Sequence, residues 1–310
     1  MAQWKKLGSL AAGLVALFGL QQSAAAQYVV DNSKIPSGAG INSSTENVDF
    51  GDVDLDGDWD VALAAVGDAG NDQNRLWINQ GGAQGGTLGQ FTDETAAQFP
   101  VFLDDSRDIE FADIDGDADL DLYTSNTSQL ALQGNRWWIN QGGKQGGTVG
   151  FYQDDTANRW VGLGVFPSSV PPTLVTGGTF KDWSCDCDFG DLDNDGDLDL
   201  VHSSYGGTFG GQVPTRIFLN DGDGFFSEFN PSGFMIPIDT ISPGDPGLWC
   251  DGTQQTNTTN FTGAFCDIAT NTLDIDIGDS DGDFDLDILH GDRDNVPRFF
   301  ANRLEGSTIA

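Results

Sequence analysis

The sequence predicts an all-β protein built from repeated antiparallel sheets. Its 42 Gly and 11 Pro residues interrupt the chain too often for long helices. Its apolar runs are short and bounded by turn residues, which is typical of strands. Four segments also align without gaps, and each carries five aspartates at alternate positions. Internal repetition of this kind indicates an array of similar structural units.

Each repeat predicts four strands, which is typical of a propeller blade. An apolar and a small residue precede the aspartate loop, and an apolar strand follows it, in Phe50–Val61, Phe111–Leu122, Phe189–Leu200 and Ile277–Ile288. The next strand begins with Arg and ends with Asn, in Arg75–Asn79, Arg136–Asn140, Arg216–Asn220 and Arg298–Asn302. Gly-rich turns at 81–89 and 142–150 then lead to a last strand in the first two copies. No helix follows these turns, so they predict hairpins and not phosphate-binding loops.

The repeats lie near residues 47–106, 107–184, 185–273 and 274–310, with an insertion in the third at about 221–269. Tyr28–Asp31 resembles the last strand of a repeat, and the final copy stops after Asn302, where its own last strand is due. Together the two fragments predict the closure of a small, four-bladed propeller. A truncated piece of a larger propeller explains the same pattern, and the sequence leaves both interpretations open.

The first 26 residues predict a signal peptide. Lys5 and Lys6 precede an apolar run, Leu7–Leu20, and small residues at 24–26 provide a cleavage site before Gln27. The run is shorter than the roughly 20 residues that a membrane-spanning helix needs. The mature domain, 27–310, has no later run that is long and apolar enough to span a membrane. The predicted location is therefore outside the cell or at its surface, with the periplasm as the alternative.

The charge balance is strongly acidic. Thirteen Lys and Arg against 48 Asp and Glu give a formal net charge of −35. Removing Lys5 and Lys6 leaves 11 against 48, or −37. Such a surface repels phosphate backbones, so nucleic acid is excluded as an expected partner.

Four cysteines in an exported chain favour disulfides over a zinc site, because no C-x-x-C spacing is present. Cys185 and Cys187 would lie on one face of a strand and are poorly placed to bond each other. The pairing is left open. The disulfide candidates are Cys185, Cys187, Cys250 and Cys266.

The aspartate loops predict metal sites. Five carboxyl groups within nine residues repel one another unless a cation lies among them. Ligands that are all oxygen favour a hard ion, and this number of anionic oxygens in a flexible loop fits Ca²⁺ better than Mg²⁺. We therefore expect about four Ca²⁺ ions per chain. The predicted site residues are Asp52, Asp54, Asp56, Asp58 and Asp60; Asp113, Asp115, Asp117, Asp119 and Asp121; Asp191, Asp193, Asp195, Asp197 and Asp199; and Asp279, Asp281, Asp283, Asp285 and Asp287.

By analogy with known D-x-D-x-D-G loops, side chains at positions 1, 3, 5 and 9 would ligate, and position 7 would offer its carbonyl. Gly57, at position 6, is expected to have positive φ. An EF-hand is excluded because its twelfth residue is a bidentate Glu. Position 12 here is Leu63, Thr124, His202 or His290. A solvated acidic run would explain one copy, but it does not explain four copies in register.

These loops, with the Asn-Arg-apolar-Asn strands that follow them, resemble the FG-GAP/VCBS repeat family, which also builds the propellers of integrin α-subunits. The resemblance covers nearly the whole mature chain and implies a calcium-loop β-propeller, with ligands bound away from the calcium loops. The chain departs from the family pattern because it has no Gly-Ala-Pro element. Ala118 and Phe284 also replace the position-6 glycine, with Gly116 and Gly282 at position 4 instead, which predicts weaker or differently turned loops.

The first functional hypothesis is an extracellular binding or adhesion module for a glycan or a protein. Exposed aromatic residues would carry recognition, with Trp137, Trp138, Trp183 and Trp249 as candidates. Trp137 and Trp138, like Trp77, fall in a repeat strand and are expected in the core, so Trp249 in the insertion is the better candidate.

Two alternatives are a polysaccharide lyase and a structural surface or matrix protein. A lyase needs a base, but the two histidines, His202 and His290, share one repeat position, which favours structural roles. No catalytic residue is predicted, and the enzyme is the less favoured alternative.

Overall fold

The computed structural model describes residues 28–37, 44–66, 72–127, 134–161, 175–176, 179–180, 184–204, 216–228, 272–292 and 297–302. The chain divides into two compact units, Met1–Asn32 and Ser33–Ala310. The sheets belong to the second unit. The predicted signal peptide and most of the predicted insertion lie outside the described residues. No helix in the described ranges is long and apolar enough to cross a membrane.

Strands dominate the described residues, and the helices are single turns. The strands are β1 (Ser44–Gly51), β2 (Asp60–Val66), β3 (Asp72–Gln73), β4 (Arg75–Asn79), β5 (Phe91–Asp93), β6 (Leu103–Asp104), β7 (Ser106–Ala112), β8 (Asp121–Asn126), β9 (Arg136–Asn140), β10 (Tyr152–Asp154), β11 (Trp160–Val161), β12 (Val175–Thr176), β13 (Thr179–Phe180), β14 (Ser184–Gly190), β15 (Asp199–Ser204), β16 (Arg216–Asn220), β17 (Phe226–Glu228), β18 (Thr272–Gly278), β19 (Asp287–Asp292) and β20 (Arg298–Phe300). The helices are α1 (Thr95–Gln98), α2 (Thr156–Arg159) and the 3-10 turns Asn32–Lys34, Gly82–Gln84 and Gly143–Gln145. The prediction of an all-β protein is confirmed.

Four antiparallel sheets share one strand order. Sheet 1 runs β1-β2-β4-β5, sheet 2 runs β7-β8-β9-β10, and sheet 3 runs β14-β15-β16-β17. Sheet 4 contains β18-β19-β20. The short strand β11 joins the outer edge of sheet 3 in parallel with β17. The pairs β3-β6 and β12-β13 lie apart from these sheets. Because neighbours in sequence are neighbours in each sheet, short loops suffice for most connections.

Each aspartate loop connects the first and second strands of a sheet. The residue before the loop pairs with the last aspartate, as in Gly51 with Asp60. The other three sheets repeat this register, with Ala112 opposite Asp121, Gly190 opposite Asp199 and Gly278 opposite Asp287. A small residue is required here because the next sheet approaches closely. A Cβ on Gly51 would lie 2.6 Å from Leu120 Cδ1, and one on Gly190 would lie 2.6 Å from Ile277 Cδ1.

The core lies between successive sheets. Sheets 1 and 2 enclose Leu76, Ile78 and Trp138, and sheets 2 and 3 enclose Trp137 and Phe226. The last two rings are stacked, with centroids 4.4 Å apart and planes 12° apart. Trp137 and Trp138 are therefore core residues, as the strand pattern predicts. The smaller third cluster joins sheets 3 and 4 through Leu192, Val201, Ile275 and Ile288.

Buried and half-buried carboxyl groups also link the first strands of successive sheets. Asp108 Oδ2 on β7 accepts a hydrogen bond from Cys187 N on β14 at 2.9 Å. Three further bonds of this kind join neighbouring first strands: Phe111 N to Asp49 Oδ2 (2.8 Å), Ile275 N to Asp186 Oδ2 (2.6 Å) and Ile277 N to Asp188 Oδ2 (3.1 Å). The amides of one first strand are thus satisfied by the acids of its neighbour.

Burial changes the acidity of this network. It raises the pKa of Glu110 and of Asp186 to about 9, and nearby carboxylates add to both shifts. These acids are consequently held in the neutral form near pH 7.

Candidate metal centres

The four loops have the same backbone conformation. Loop 1 is Asp52–Asp60, loop 2 is Asp113–Asp121, loop 3 is Asp191–Asp199 and loop 4 is Asp279–Asp287, with positions numbered 1 to 9 in each. Positions 4 and 6 have positive φ in every loop: Leu55 (59°) and Gly57 (94°), Gly116 (71°) and Ala118 (73°), Asn194 (58°) and Gly196 (100°), and Gly282 (81°) and Phe284 (71°). The prediction for Gly57 is confirmed.

The expectation that loops 2 and 4 turn differently is wrong. Ala118 and Phe284 adopt the same left-handed conformation that Gly57 adopts at position 6. Each loop instead combines two left-handed positions, and a non-glycine residue occupies at least one of them. A residue with a side chain costs roughly 1–2 kcal/mol in this conformation. The loops therefore hold a strained turn, and surrounding hydrogen bonds must maintain it.

The carboxylate at position 1 supplies those bonds. Asp52 Oδ1 accepts a hydrogen bond from Asp56 N at 2.9 Å, and its Oδ2 accepts one from Gly57 N at 3.0 Å. Asp113, Asp191 and Asp279 accept the same pair of bonds from positions 5 and 6 of their loops, at 2.9–3.2 Å. The first predicted ligand thus also shapes the turn.

The carboxylate at position 9 is buried, and it accepts hydrogen bonds from backbone amides at the end of the third strand and within the loop. Asp60 Oδ1 accepts a bond from Asn79 N at 2.8 Å, and its Oδ2 accepts one from Val53 N at 3.1 Å. Asp121, Asp199 and Asp287 accept the equivalent bond from Asn140, Asn220 and Asn302 at 2.8–2.9 Å. The asparagine at the end of the third strand, or just after it in sheet 4, therefore has a role in the site, which explains its recurrence.

Those asparagines also join each loop to the next sheet. Asn140 Nδ2 donates to Val53 O of loop 1 at 2.9 Å, and Asn220 Nδ2 donates to Ile114 O of loop 2 at 2.7 Å. Asn302 Nδ2 donates to Leu192 O of loop 3 at 2.8 Å. The first three loops are therefore positioned by their own sheet and by the following one.

Three carboxylates converge in every loop, with one oxygen from each lying within 4.8 Å of the others. The converging groups are Asp52, Asp54 and Asp60; Asp113, Asp115 and Asp117; Asp191, Asp193 and Asp199; and Asp279, Asp281 and Asp283. Ca²⁺–oxygen distances are about 2.3–2.6 Å, so two oxygens on one ion lie no more than about 5 Å apart. The clusters therefore fit a calcium ion.

The clusters include only some of the predicted ligands. Positions 1 and 3 converge in all four loops, position 9 joins them in loops 1 and 3, and position 5 joins them in loops 2 and 4. Position 7 was predicted to ligate through its carbonyl, and its side chain belongs to none of the clusters. Asp58, Asp119 and Asp285 at that position are buried.

Position 3 presents an oxygen toward the site. Asp54 Oδ1, Asp115 Oδ1 and Asp193 Oδ1 are buried and have no hydrogen-bond partner in the protein. The other oxygen of two of these groups is held by a glutamine. Gln84 Nε2 donates to Asp54 Oδ2 at 2.5 Å, and Gln145 Nε2 donates to Asp115 Oδ2 at 2.7 Å. A buried, unpartnered carboxylate oxygen costs free energy, which a cation would recover.

Burial also raises the pKa values of carboxyl groups in the aspartate loops. Burial raises the pKa of Asp60 and of Asp199 to about 7, against backbone hydrogen bonds that lower it. In loop 2, burial raises the pKa of Asp121 to about 8 and that of Asp119 to about 7, and neighbouring aspartates raise both further. A divalent cation reverses this effect because it favours the ionised form.

The Gly-rich turns contact the aspartate loops, which sequence reasoning did not predict. Ala83 N donates to Asp56 Oδ2 at 2.7 Å, and Lys144 N donates to Asp117 Oδ2 at 2.6 Å. A Cβ on Gly81 would lie 2.2 Å from Asp58 Oδ2, and one on Gly142 would lie 2.3 Å from Asp119 Oδ2. The repetition of the string Gln-Gly-Gly-x-Gln-Gly-Gly, at 80–86 and 141–147, could have indicated that these turns have a role beside the loops. The hairpin prediction itself is confirmed, since these turns join β4 to β5 and β9 to β10.

The two histidines are buried side chains. His202 lies between sheets 2 and 3, with Ser184 Oγ 2.9 Å from Nε2 and Tyr123 OH 3.4 Å from Nδ1. His290 packs against Phe300, with ring centroids 4.7 Å apart. Neither ring is exposed to solvent.

Of the predicted disulfide residues, Cys185 and Cys187 are buried on β14. The Cys187 thiol donates to Asp108 Oδ2 at 3.0 Å. Cys250, Cys266 and the candidate recognition residues Trp183 and Trp249 lie outside the described residues.

Neither a family model nor a curated protein matches the chain. The resemblance to FG-GAP/VCBS repeats stays a prediction.

Proposed function

We propose that this chain is an exported protein whose four aspartate loops bind Ca²⁺ and thereby stabilise a β-propeller. The propeller acts as a binding module for a glycan or a protein outside the cell. The observation that carries the proposal is the convergence of three carboxylates in every loop. Four clusters of three carboxylates, each in the same loop of its sheet, are unlike scattered surface acids.

The donor set supports calcium as the ion. The converging ligands are carboxylate oxygens, without His or Cys, and hard cations prefer such ligands. The three-carboxylate clusters lie in loops with two left-handed residues, whose irregular shape suits the variable coordination of Ca²⁺ better than the octahedron of Mg²⁺.

Calcium in these loops has a structural role. Asn140, Asn220 and Asn302 each connect one loop to the next sheet, so an ordered loop also orders the interface between sheets. Binding energy at such a site is folding energy. Ligand recognition then uses another surface of the domain. Trp137 and Trp138 are in the core, which leaves Trp183 and Trp249 as the recognition candidates named by the sequence.

The test has two arms on the mature chain. Isothermal titration should give about four Ca²⁺ per chain, and a glycan and matrix-protein array should give a saturable ligand in calcium that is lost in EDTA. Calcium binding without any ligand would leave a structural surface or matrix protein. Absence of calcium binding would contradict the proposal as a whole.

A further inference from the structure

The sheets pack on one another through two distinct faces. The leading face of a sheet contacts the preceding sheet, and the trailing face contacts the following one. On the leading face, Ile109 of sheet 2 and Ile275 of sheet 4 are buried against sheets 1 and 3. On the trailing face, the cross-strand pairs Ala62–Leu76 and Tyr123–Trp137 are buried. Every internal interface therefore joins one trailing face to one leading face.

The leading face of sheet 1 carries the same apolar pattern, but its first strand and its loop are exposed, while Val61 on its second strand is buried. Val48 takes the place of Ile109, and it is 49% exposed. Phe50 takes the place of Phe111, and Trp59 takes the place of Leu120, which covers Gly51 in the first internal interface. Phe50 and Trp59 lie with ring centroids 6.4 Å apart and are 50% and 65% exposed. Sheet 1 thus presents a half-interface that the other sheets bury.

The trailing face of sheet 4 is the complementary half. Leu289 and Phe299 form the cross-strand pair that corresponds to Tyr123–Trp137, and they are 48% and 53% exposed. A Cβ on Gly278 would contact nothing within 4 Å, whereas the equivalent position in Gly51 is covered by the next sheet. One polar substitution interrupts this face. Ser280 stands where Val53, Ile114 and Leu192 stand in the first three loops, and its hydroxyl bonds to Asp287.

An asparagine contact follows the same pattern. The Nδ2 groups of Asn140 and Asn220 each donate two bonds, one to the position-8 carbonyl of their own loop and one to the position-2 carbonyl of the preceding loop. Asn79 makes the first bond, to Trp59 O at 3.1 Å. Within the described part of the chain, no loop precedes sheet 1 to accept the second.

We propose that the leading face of sheet 1 binds the trailing face of sheet 4 in a second copy of this chain. The three internal interfaces identify the partner, because each shows that a leading face with this pattern receives a trailing face of the same chain. Both end faces are open on one molecule, so each is available to another copy. The contact is heterologous, and two copies that meet at both ends close the assembly. The closed pair would contain eight sheets, within the usual range for propellers.

The charge of the chain sets the conditions for this contact. A formal net charge of −35 makes two copies repel each other. Salt screens that repulsion but does not weaken apolar burial. Dimerisation should therefore strengthen as ionic strength rises. This inference rests on the packing of sheets and does not depend on which ligand the protein recognises.

Sedimentation velocity of the mature chain in calcium tests the proposal. The wild type should sediment as a dimer, whereas Trp59→Asp and Leu289→Asp should each sediment as monomers at the same concentration. Val101→Asp is the matched control, since Val101 is 74% exposed but lies on neither end face. It should remain dimeric. Thermal melts of all variants check that the fold is retained, and Trp59→Ser and Leu289→Ser replace any variant that does not fold.

Mixing the two monomeric variants gives the decisive result. Trp59→Asp retains its trailing face and Leu289→Asp retains its leading face, so together they should form a heterodimer through one intact interface. A wild type that is monomeric up to its solubility limit would overturn the proposal, as would a dimer that both substitutions leave intact. A monomer would instead indicate closure within one chain.

Discussion

Asp108 Oδ2 on β7 accepts a hydrogen bond from Cys187 N on β14 at 2.9 Å, and Asp108 Oδ1 accepts one from Asn47 Nδ2 on β1 at 2.5 Å. One buried carboxyl group thus joins the first strands of three successive sheets. Its pKa is raised to about 6 by burial, against the hydrogen bonds from Cys187, which lower it. The residue lies outside the aspartate loops, so its role is in joining sheets and not in binding calcium.

Asp108→Ala should therefore destabilise the fold without removing calcium. The substitution leaves the buried amide of Cys187 and the half-buried side chain of Asn47 without their acceptor, at a cost of about 1–3 kcal/mol. Chemical denaturation in saturating calcium measures the loss. Glu46→Ala is the control, because Glu46 also links sheets 1 and 2, through Arg107 at 3.3 Å, but is exposed. It should change stability by no more than about 1 kcal/mol. Equal effects of the two substitutions would contradict the role given to Asp108.

The contrast between Asp108 and Asp54 shows how much the sequence could predict. Asp54 belongs to a dense, repeated pattern, and electrostatics alone requires a cation near five adjacent carboxyl groups. The strands beside the loops were also predictable, since apolar residues and turn signals bracket each loop. Asp108 lies between Arg107 and Ile109, outside the dense aspartate pattern, and its partner is 79 residues away. Only the packing of one sheet on the next brings Asp108 and Cys187 together.

The backbone conformation of the aspartate loops was the other feature that the sequence pattern did not fully predict. Glycine at position 6 correctly predicted positive φ for Gly57. The same reasoning predicted altered turns at Ala118 and Phe284, where the structure keeps the turn and accepts the strain. The hydrogen bonds to the position-1 carboxylates maintain it, as with Ala118 N to Asp113 Oδ2 at 3.0 Å. The preference of a single non-glycine residue for negative φ was outweighed by the hydrogen bonds within the loop.

Loop 3 provides a direct test of ligand identity. Replacing both Asp191 and Asp193 by Asn removes two of its three converging carboxylates. Elemental analysis after dialysis should show about one calcium fewer per chain. Asp221→Asn is the control, because Asp221 is exposed and lies in the neighbouring turn outside the cluster. An unchanged calcium content in the double variant would show that these carboxylates are not ligands.

The contact between Gly-rich turn and aspartate loop predicts a second effect on calcium. In Gly81→Ala, the new Cβ would lie 2.2 Å from Asp58 Oδ2 and 2.8 Å from Leu88 Cδ1, so either the Asp58 and Leu88 side chains or the turn itself must shift. We expect a loss of affinity at one site and a destabilisation of about 1–3 kcal/mol, which is typical of overpacking.

Gly85→Ala serves as the control for that variant. Gly85 has φ of 66°, and a Cβ there meets nothing within 4 Å. It should cost only the left-handed strain, roughly 1–2 kcal/mol, with all calcium sites intact. Calcium titration of both variants distinguishes the two effects. If Gly81→Ala binds calcium like Gly85→Ala, the turn does not support the site.

The pKa values of the loops predict that stability depends more strongly on pH without calcium than with it. Asp60 and Asp199 have pKa values near 7 in the folded chain, above the ordinary value of 3.8 expected when it is unfolded. The folded state then binds more protons than the unfolded state between these values, so unfolding free energy falls as pH rises. In EDTA, the stabilisation from these protonated groups should be complete below about pH 4 and lost as pH rises through about 7.

Calcium should weaken this trend, because it binds the ionised carboxylates and so displaces the protons from the folded loops. Melting temperatures measured from about pH 5 to about pH 8 should fall more steeply in EDTA than in saturating calcium. The difference between the two curves should therefore widen with pH. Melting temperatures that are the same in EDTA and in calcium at pH 8 would contradict the prediction. In that case the crowded carboxylates would have to be stabilised by something other than a cation.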